Sequence, residues 1–248
     1  MKLFNLPNIL TLGNLTSGCL AIFTTFSSTI DEVGKIKLIA ILVSISLLLD
    51  FLDGMVARAL NIKSDLGKEL DSLADVVSFG LVPTCIFLLL FNKIDFNCTC
   101  PIPVQLRVSH ELISIAIVLF SALRLAKFNI DETQASYFRG LATPANTILI
   151  LSVALTRFLQ PDFFLSPYFG NSYFLIGLIV VSCFLLISNI PMFSFKINGF
   201  GIKKNDFRYI FLLATIVLLF SFQFAGLFLA ILCYILLSLV YKNKIIHS

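Results

Sequence analysis

The chain has 248 residues, 58% of them hydrophobic and 13% charged, with a mean hydropathy of +0.97 and a formal net charge of +4. That composition excludes a soluble globular domain, and so small a charge points to no nucleic acid partner. Apolar runs of about twenty residues recur along the chain, continuous rather than alternating. They predict an all-α, polytopic membrane helical bundle rather than a β-barrel.

About eight transmembrane helices are expected, with ends uncertain by about 2–4 residues. The first, roughly 8–29, is interrupted by Asn8, Thr11 and Asn14 at spacing three, which puts them on one helix face. It is expected to be retained rather than cleaved as a signal, because Lys2 is its only early charge and polar residues break its apolar run. The second, roughly 36–60, ends in DFLDGMVARAL, and the third, roughly 66–91, opens on GKELDSLAD. The fourth, roughly 107–127, carries Arg124 and Lys127 near its end. The remaining four are expected at roughly 143–160, 172–193, 207–222 and 224–242, the last two joined by a very short turn. The division expected is a six-span core over residues 1–193, followed by a loop and two further helices over 194–248.

Basic residues orient these spans. With the N-terminus in the cytoplasm, the cytoplasmic ends and loops hold thirteen of the 18 lysines and arginines, from Lys2 and Arg58 through Lys244. The other side holds Lys35, Lys37, Lys93, Arg107 and Arg157. That asymmetry predicts cytoplasmic N- and C-termini and an acidic cluster opening to the cytoplasm. Four of the six cysteines (Cys19, Cys85, Cys183 and Cys233) lie in apolar runs and read as packing residues. Cys98 and Cys100 share a polar loop at a spacing unsuited to a structural disulfide or a zinc site. Neither histidine, His110 nor His247, lies near the acids in sequence, so a histidine base is not expected.

The acids carry the chemistry. Asp50 and Asp53 are three apart on one helix, Asp71 and Asp75 four apart on the next, so each pair shares a face. A short polar link makes the two helices antiparallel, so the acidic faces can meet. Four carboxylates facing lipid would cost on the order of ten kcal/mol. Divalent cations such as Mg²⁺ or Mn²⁺ take hard oxygen ligands and leave positions open for phosphate, and four aspartates suit a two-metal clamp. Gly54, Ala57 and Gly67 add almost no bulk beside them, and Arg58 follows at the helix end. A proton or cation pathway is the competing reading, but it predicts acids spread through the membrane depth, whereas these cluster at one end.

The full pattern, D50-x2-D53-G54-x2-A57-R58-x8-G67-x3-D71-x3-D75, resembles the signature of the CDP-alcohol phosphatidyltransferase family at every defined position. Four further segments are similar to the membrane-type phosphatidylserine synthases within it: PNILTLGNLTSG (7–18), LRLAKFN (123–129), FRGLATPAN (138–146) and SNIPMFSFK (188–196). Two positions depart from that pattern, Ala142 standing for Pro and Lys127 for Arg. The resemblance implies transfer of a phosphatidyl group from CDP-diacylglycerol to the hydroxyl of L-serine, giving phosphatidylserine and CMP. It implies two divalent cations, Mg²⁺ or Mn²⁺, on Asp50, Asp53, Asp71 and Asp75, with Asp75 as general base. For CDP, the residues offer Gly54, Ala57 and Gly67 as room for the nucleotide or as close helix packing, Asn8, Thr11 and Asn14 as pocket lining or cross-helix hydrogen bonds, and Arg58 as a partner for phosphate or for a carboxylate. Serine brings its own carboxylate, so Arg124, Arg139 and Lys196 are the expected serine or phosphate cations, each also fit to be a cytoplasmic anchor. A homodimer in a bacterial inner membrane is the setting the resemblance implies. Rival readings are the same chemistry on glycerol 3-phosphate, inositol or choline, a membrane prenyltransferase, and an ion-coupled transporter.

Overall fold

The computed structural model describes residues 4–61, 64–92, 112–130, 138–193 and 202–242. The first helix, α1 (Leu6–Phe26), starts where the Asn5 side chain accepts from the Asn8 N–H at 2.9 Å, with Pro7 in its first turn. Helix α2 (Glu32–Ala59) carries Glu32 in its first turn and Arg58 in its last, charges that complement the helix dipole. It ends at Leu60, and Asn61 follows with φ of 52°, the left-handed conformation that stops a helix. Ser64 caps α3 (Asp65–Asp75) by accepting from the Gly67 N–H at 3.1 Å.

Helix α3 runs without a break through a π turn (Val76–Leu81) into α4 (Val82–Asn92). Pro83 explains the widened turn. A proline has no N–H to give and its ring collides with the carbonyl four residues back. That carbonyl belongs to Phe79, and it is satisfied from another helix, by the Thr147 hydroxyl at 3.1 Å. The extra residue of the π turn shifts the helix phase, so the face bearing Asp71 and Asp75 differs from the face that packs below it.

Further on lie α5 (Ile115–Ile130), α6 (Thr143–Leu159), a short α7 (Ser166–Phe169), α8 (Ser172–Ile187), α9 (Ile202–Phe222) and α10 (Phe224–Val240). Leu6–Phe26, Glu32–Ala59 and the continuous Asp65–Asn92 are long and apolar enough to cross a membrane; shorter apolar helices make up most of the rest. Their lipid-side faces expose large apolar groups such as Phe23, Phe51, Phe184 and Phe220. In water such a surface would aggregate; it suits a bilayer. This is a helical membrane protein, as expected. The sixth expected span stops earlier, at Ile187, because Ser188 turns extended (φ −62°, ψ 154°). The chain then forms a two-residue strand, β2 (Pro191–Met192), antiparallel to β1 (Phe138–Arg139).

Asp65–Asn92 is the central element: 72% of its most apolar window is buried, against 22% for α2. Ile36, Ile39, Ile86, Phe87, Leu149 and Leu175 meet around it in the main apolar cluster. With no water to expel between helices, close contact of small residues carries much of the packing. A Cβ on Gly18 would come within 3.0 Å of the Ser78 backbone. Gly140 needs its lack of a side chain twice over. Its φ is +75°, and a Cβ there would meet the carbonyls of Leu185, Leu186 and Ser188, each at 2.8 Å. Ala142, the departure noted in GLATP, has φ −65° and ψ 142°, backbone that proline would also adopt, so this departure changes no local geometry.

Candidate active site

Thr11 and Asn14 of α1 reach across to the two acidic helices. The Thr11 hydroxyl donates to Asp53 Oδ2 at 2.6 Å, and the Asn14 amide donates to Asp75 Oδ1 at 3.4 Å. Asn14 is held in turn by the hydroxyls of Ser46, which donates to its side-chain oxygen, and Ser78, which donates to its carbonyl at 3.1 Å. The polar stripe read from the first span is therefore built into the acidic centre from one side.

Asp50, Asp53 and Asp71 each offer a carboxylate oxygen, and these oxygens lie within 4.8 Å of one another. Asp75 stands next to this triple, in side-chain contact with Asp50. Asp71 Oδ1 is buried and accepts no hydrogen bond from the described residues. Carboxylates crowded this closely repel unless a cation lies between them. The donor set, all oxygen and largely screened from water, fits a hard divalent cation and no softer metal.

Asp53 and Asp71 of this triple line a cavity of about 490 Å³. From α1 it is lined by Pro7, Asn8 and Thr11, and from α2 by Asp53, Gly54 and Ala57. Ser64, Asp65, Gly67, Lys68 and Asp71 close the third side. A Cβ added at Gly54 would meet nothing within 4 Å, so this glycine keeps space open and is not a packing contact. Of the residues expected to bind CDP, Asn8, Thr11, Gly54, Ala57 and Gly67 line the cavity. Asn14 lies on Asp75 instead, and Arg58 is exposed, its Nε donating to the Gly54 carbonyl at 2.9 Å. Pro7, Ser64, Asp65 and Lys68 were not singled out in the sequence. The serine at the helix cap and the lysine one turn before Asp71 were the available signals.

A second, smaller recess lies among Arg124, Lys127, Arg139 and the end of α8 at Leu186–Ser188. Arg124 is 9% exposed, its Nε has no hydrogen-bond partner among the described residues, and it lies within electrostatic reach of Asp75. It therefore links this recess to the acidic centre. The β1–β2 pairing carries Arg139 to the recess, and Lys127 Nζ donates to Asn189 Oδ1 at 2.9 Å. Asn129, in the same LRLAKFN segment, ties α5 to α3: its carbonyl accepts from Lys68 Nζ at 2.6 Å and its amide donates to Ser72 Oγ at 2.8 Å. Asn146 is fully buried with neither amide atom partnered among the described residues, a polar group that sequence reading left without a role. Lys196, Cys98, Cys100 and both histidines lie outside the described residues.

Comparison with known proteins agrees with this geometry. The model of the CDP-alcohol phosphatidyltransferase family matches residues 4–240. A CDP-diacylglycerol–serine O-phosphatidyltransferase of Helicobacter pylori (strain J99) is 34% identical over 217 residues, 85% of this chain and 81% of that protein. One of the same name from Methanocaldococcus jannaschii is 33% identical over 183 residues, 73% of each chain. An archaetidylserine synthase of Methanothermobacter thermautotrophicus is 34% identical over 156 residues, 62% of this chain and 59% of that protein. With the signature acids gathered at one membrane-embedded centre and the family match running nearly end to end, the chain belongs to the CDP-alcohol phosphatidyltransferase family.

Proposed function

We propose that the protein transfers the phosphatidyl group of CDP-diacylglycerol to the hydroxyl of L-serine, giving phosphatidylserine and CMP. The observation that carries this reading is the carboxylate triple beside a nucleotide-sized cavity lined by two of its members, with a buried arginine within electrostatic reach of the fourth acid. Small-molecule sites span about 300–1,000 Å³, and the cavity falls within that range. The names of the relatives support serine as acceptor.

Asp50, Asp53, Asp71 and Asp75 would hold two divalent cations, Mg²⁺ or Mn²⁺. When bound, such ions neutralise the diphosphate and the charge left on departing CMP. Asn8, Thr11, Gly54, Ala57 and Gly67 surround the nucleotide, Asn14 orients Asp75, and Arg58 meets phosphate at the rim. The serine oxygen forms a bond to the phosphorus bearing the lipid, and the bond from that phosphorus to the CMP oxygen breaks. Asp75 takes the hydroxyl proton as general base. Arg124, Arg139 and Lys196 receive the serine carboxylate and the lipid-side phosphate. Guanidinium groups suit both, since they pair with planar oxyanions through two parallel bonds.

Residues 1–193 form the catalytic core in this reading, and 194–248 a loop and two further helices. Eight spans put both termini and the active site on the cytoplasmic side of a bacterial inner membrane, and the working unit is a homodimer. The decisive experiment supplies purified protein with CDP-diacylglycerol and Mn²⁺ or Mg²⁺ and offers each alcohol in turn. CMP release is expected with L-serine. Release only with glycerol 3-phosphate, inositol or choline would move the acceptor, and none with any alcohol would refute the transferase reading.

A further inference from the structure

Lys68 stands where the nucleotide-sized cavity meets the helix that carries Arg124. Among the described residues that line the cavity it alone is cationic, beside three acids, Asp53, Asp65 and Asp71. It is three residues before Asp71, so the two share a face of α3 about one turn apart. Its side chain crosses to α5, where the ammonium donates to the Asn129 carbonyl at 2.6 Å. That carbonyl is among the last four of Ile115–Ile130, which find no partner within their own helix. A cation there also meets the negative end of the helix dipole. Two more bonds close a ring. The Asn129 amide donates to Ser72 Oγ at 2.8 Å, and Ser72 Oγ donates to the Lys68 carbonyl at 3.1 Å.

We propose that Lys68 is a substrate-binding residue whose ammonium takes a phosphate oxygen of the cytidine nucleotide, held ready to do so by the Asn129 carbonyl. This rests on the proposed reading that the cavity receives CDP-diacylglycerol. An ammonium has three donors and no acceptor. One proton goes to Asn129, which leaves two for a ligand. A lysine side chain is flexible, and fixing its end beforehand lowers the entropy lost when the ligand binds. Asp71, one turn away, belongs to the carboxylate triple, so the ammonium and the anionic end of the nucleotide belong to the same part of the cavity. Base and ribose offer an ammonium no charge to neutralise; the phosphates do. The phosphate that stays on cytidine carries one negative charge in the diphosphate and gains a second as it departs in CMP. A fixed cation beside it therefore attracts the leaving group more strongly than the bound substrate, which is the condition for aiding the transfer. Asn129, the last residue of LRLAKFN, thereby gains a task in nucleotide binding.

The test titrates CMP into the purified full chain with Mn²⁺ in a calorimeter and measures the KM for L-serine alongside. Lys68→Met keeps most of the stem and removes the charge. Its Kd for CMP is expected to rise about tenfold, the worth of one hydrogen bond to a charged group, with the KM for L-serine within about twofold of the parent. The stoichiometry of the titration reports how much protein is folded, so unfolding cannot mimic a change in Kd. Lys68→Arg keeps the charge and should bring the Kd back to within about threefold of the parent. Ser72→Ala opens the hydrogen-bonded ring and spares the ammonium. It should lower the melting temperature and leave the Kd for CMP within about twofold. An unchanged Kd in Lys68→Met overturns the inference. An equal loss in Ser72→Ala also overturns it, making Lys68 a staple between α3 and α5, and so does an equal loss in Lys68→Arg, since the cavity would then not be using the charge. A parent protein that neither binds nor releases CMP overturns the nucleotide reading itself, and this inference with it.

Discussion

Asp71 differs from its neighbours in what its oxygens meet. Asp53 takes the Thr11 hydroxyl and Asp75 the Asn14 amide, but Asp71 Oδ1 is buried with no donor among the described residues. A buried acceptor left unpaired costs about 1–3 kcal/mol, and more when charged. A cation is the simplest group that removes this penalty. Asp71→Asn is therefore expected to lower CMP release about a thousandfold, the scale of losing a key electrostatic contact, while the protein still inserts. A second readout is independent of turnover: Mn²⁺ should raise the melting temperature of the parent protein and raise that of Asp71→Asn far less, as ligand linkage requires. Retained turnover together with an undiminished Mn²⁺ shift would remove Asp71 from the metal set.

Elements are held by polar staples whose partners lie far apart in sequence. Gln160, at the end of α6, clasps the break between α9 and α10. Its amide donates to the Phe222 carbonyl at 3.4 Å and to Gln223 Oε1 at 3.1 Å, and its own oxygen accepts from the Ala225 N–H at 3.2 Å. Gln223 has φ of 50°, an unfavourable backbone for a side-chain-bearing residue, so this turn depends on outside support. Gln160→Ala should destabilise the fold by about 1–3 kcal/mol, read as a lower melting temperature. The KM for CDP-diacylglycerol should not move, since the clasp is remote from the cavity lining. A shift in that KM would mean the C-terminal pair sets the nucleotide site as well.

At the scale of the whole molecule, the open question is how the bundle faces the two compartments. The excess of lysine and arginine at one set of loops predicts a cytoplasmic acidic site and a loop holding Cys98 and Cys100 on the opposite side. Cys85 and Cys183 are buried and provide an internal control. A membrane-impermeant maleimide applied to intact cells expressing the chain should modify Cys98 or Cys100 and spare those two. Modification of Cys98 and Cys100 only after lysis would invert the proposed orientation.

The long apolar helices and the acidic pairs were legible in the sequence, because each depends on local spacing. Apolar runs longer than a bilayer core must be helical, and acids three or four apart must share a face. The same local logic could not place Arg58, which turns back to its own helix. Nor could it see that strand pairing carries Arg139 to Arg124, that Lys68 meets Asn129 across 61 residues, or that Tyr234 meets Phe193 across 41. Those partners are chosen by how helices pack, and packing is a property of surfaces assembled from distant segments. The amino-acid order by itself determined the acidic chemistry and the membrane setting. Which basic and aromatic groups surround that chemistry, and which of the expected nucleotide residues reach the cavity, was decided only when the helices came together.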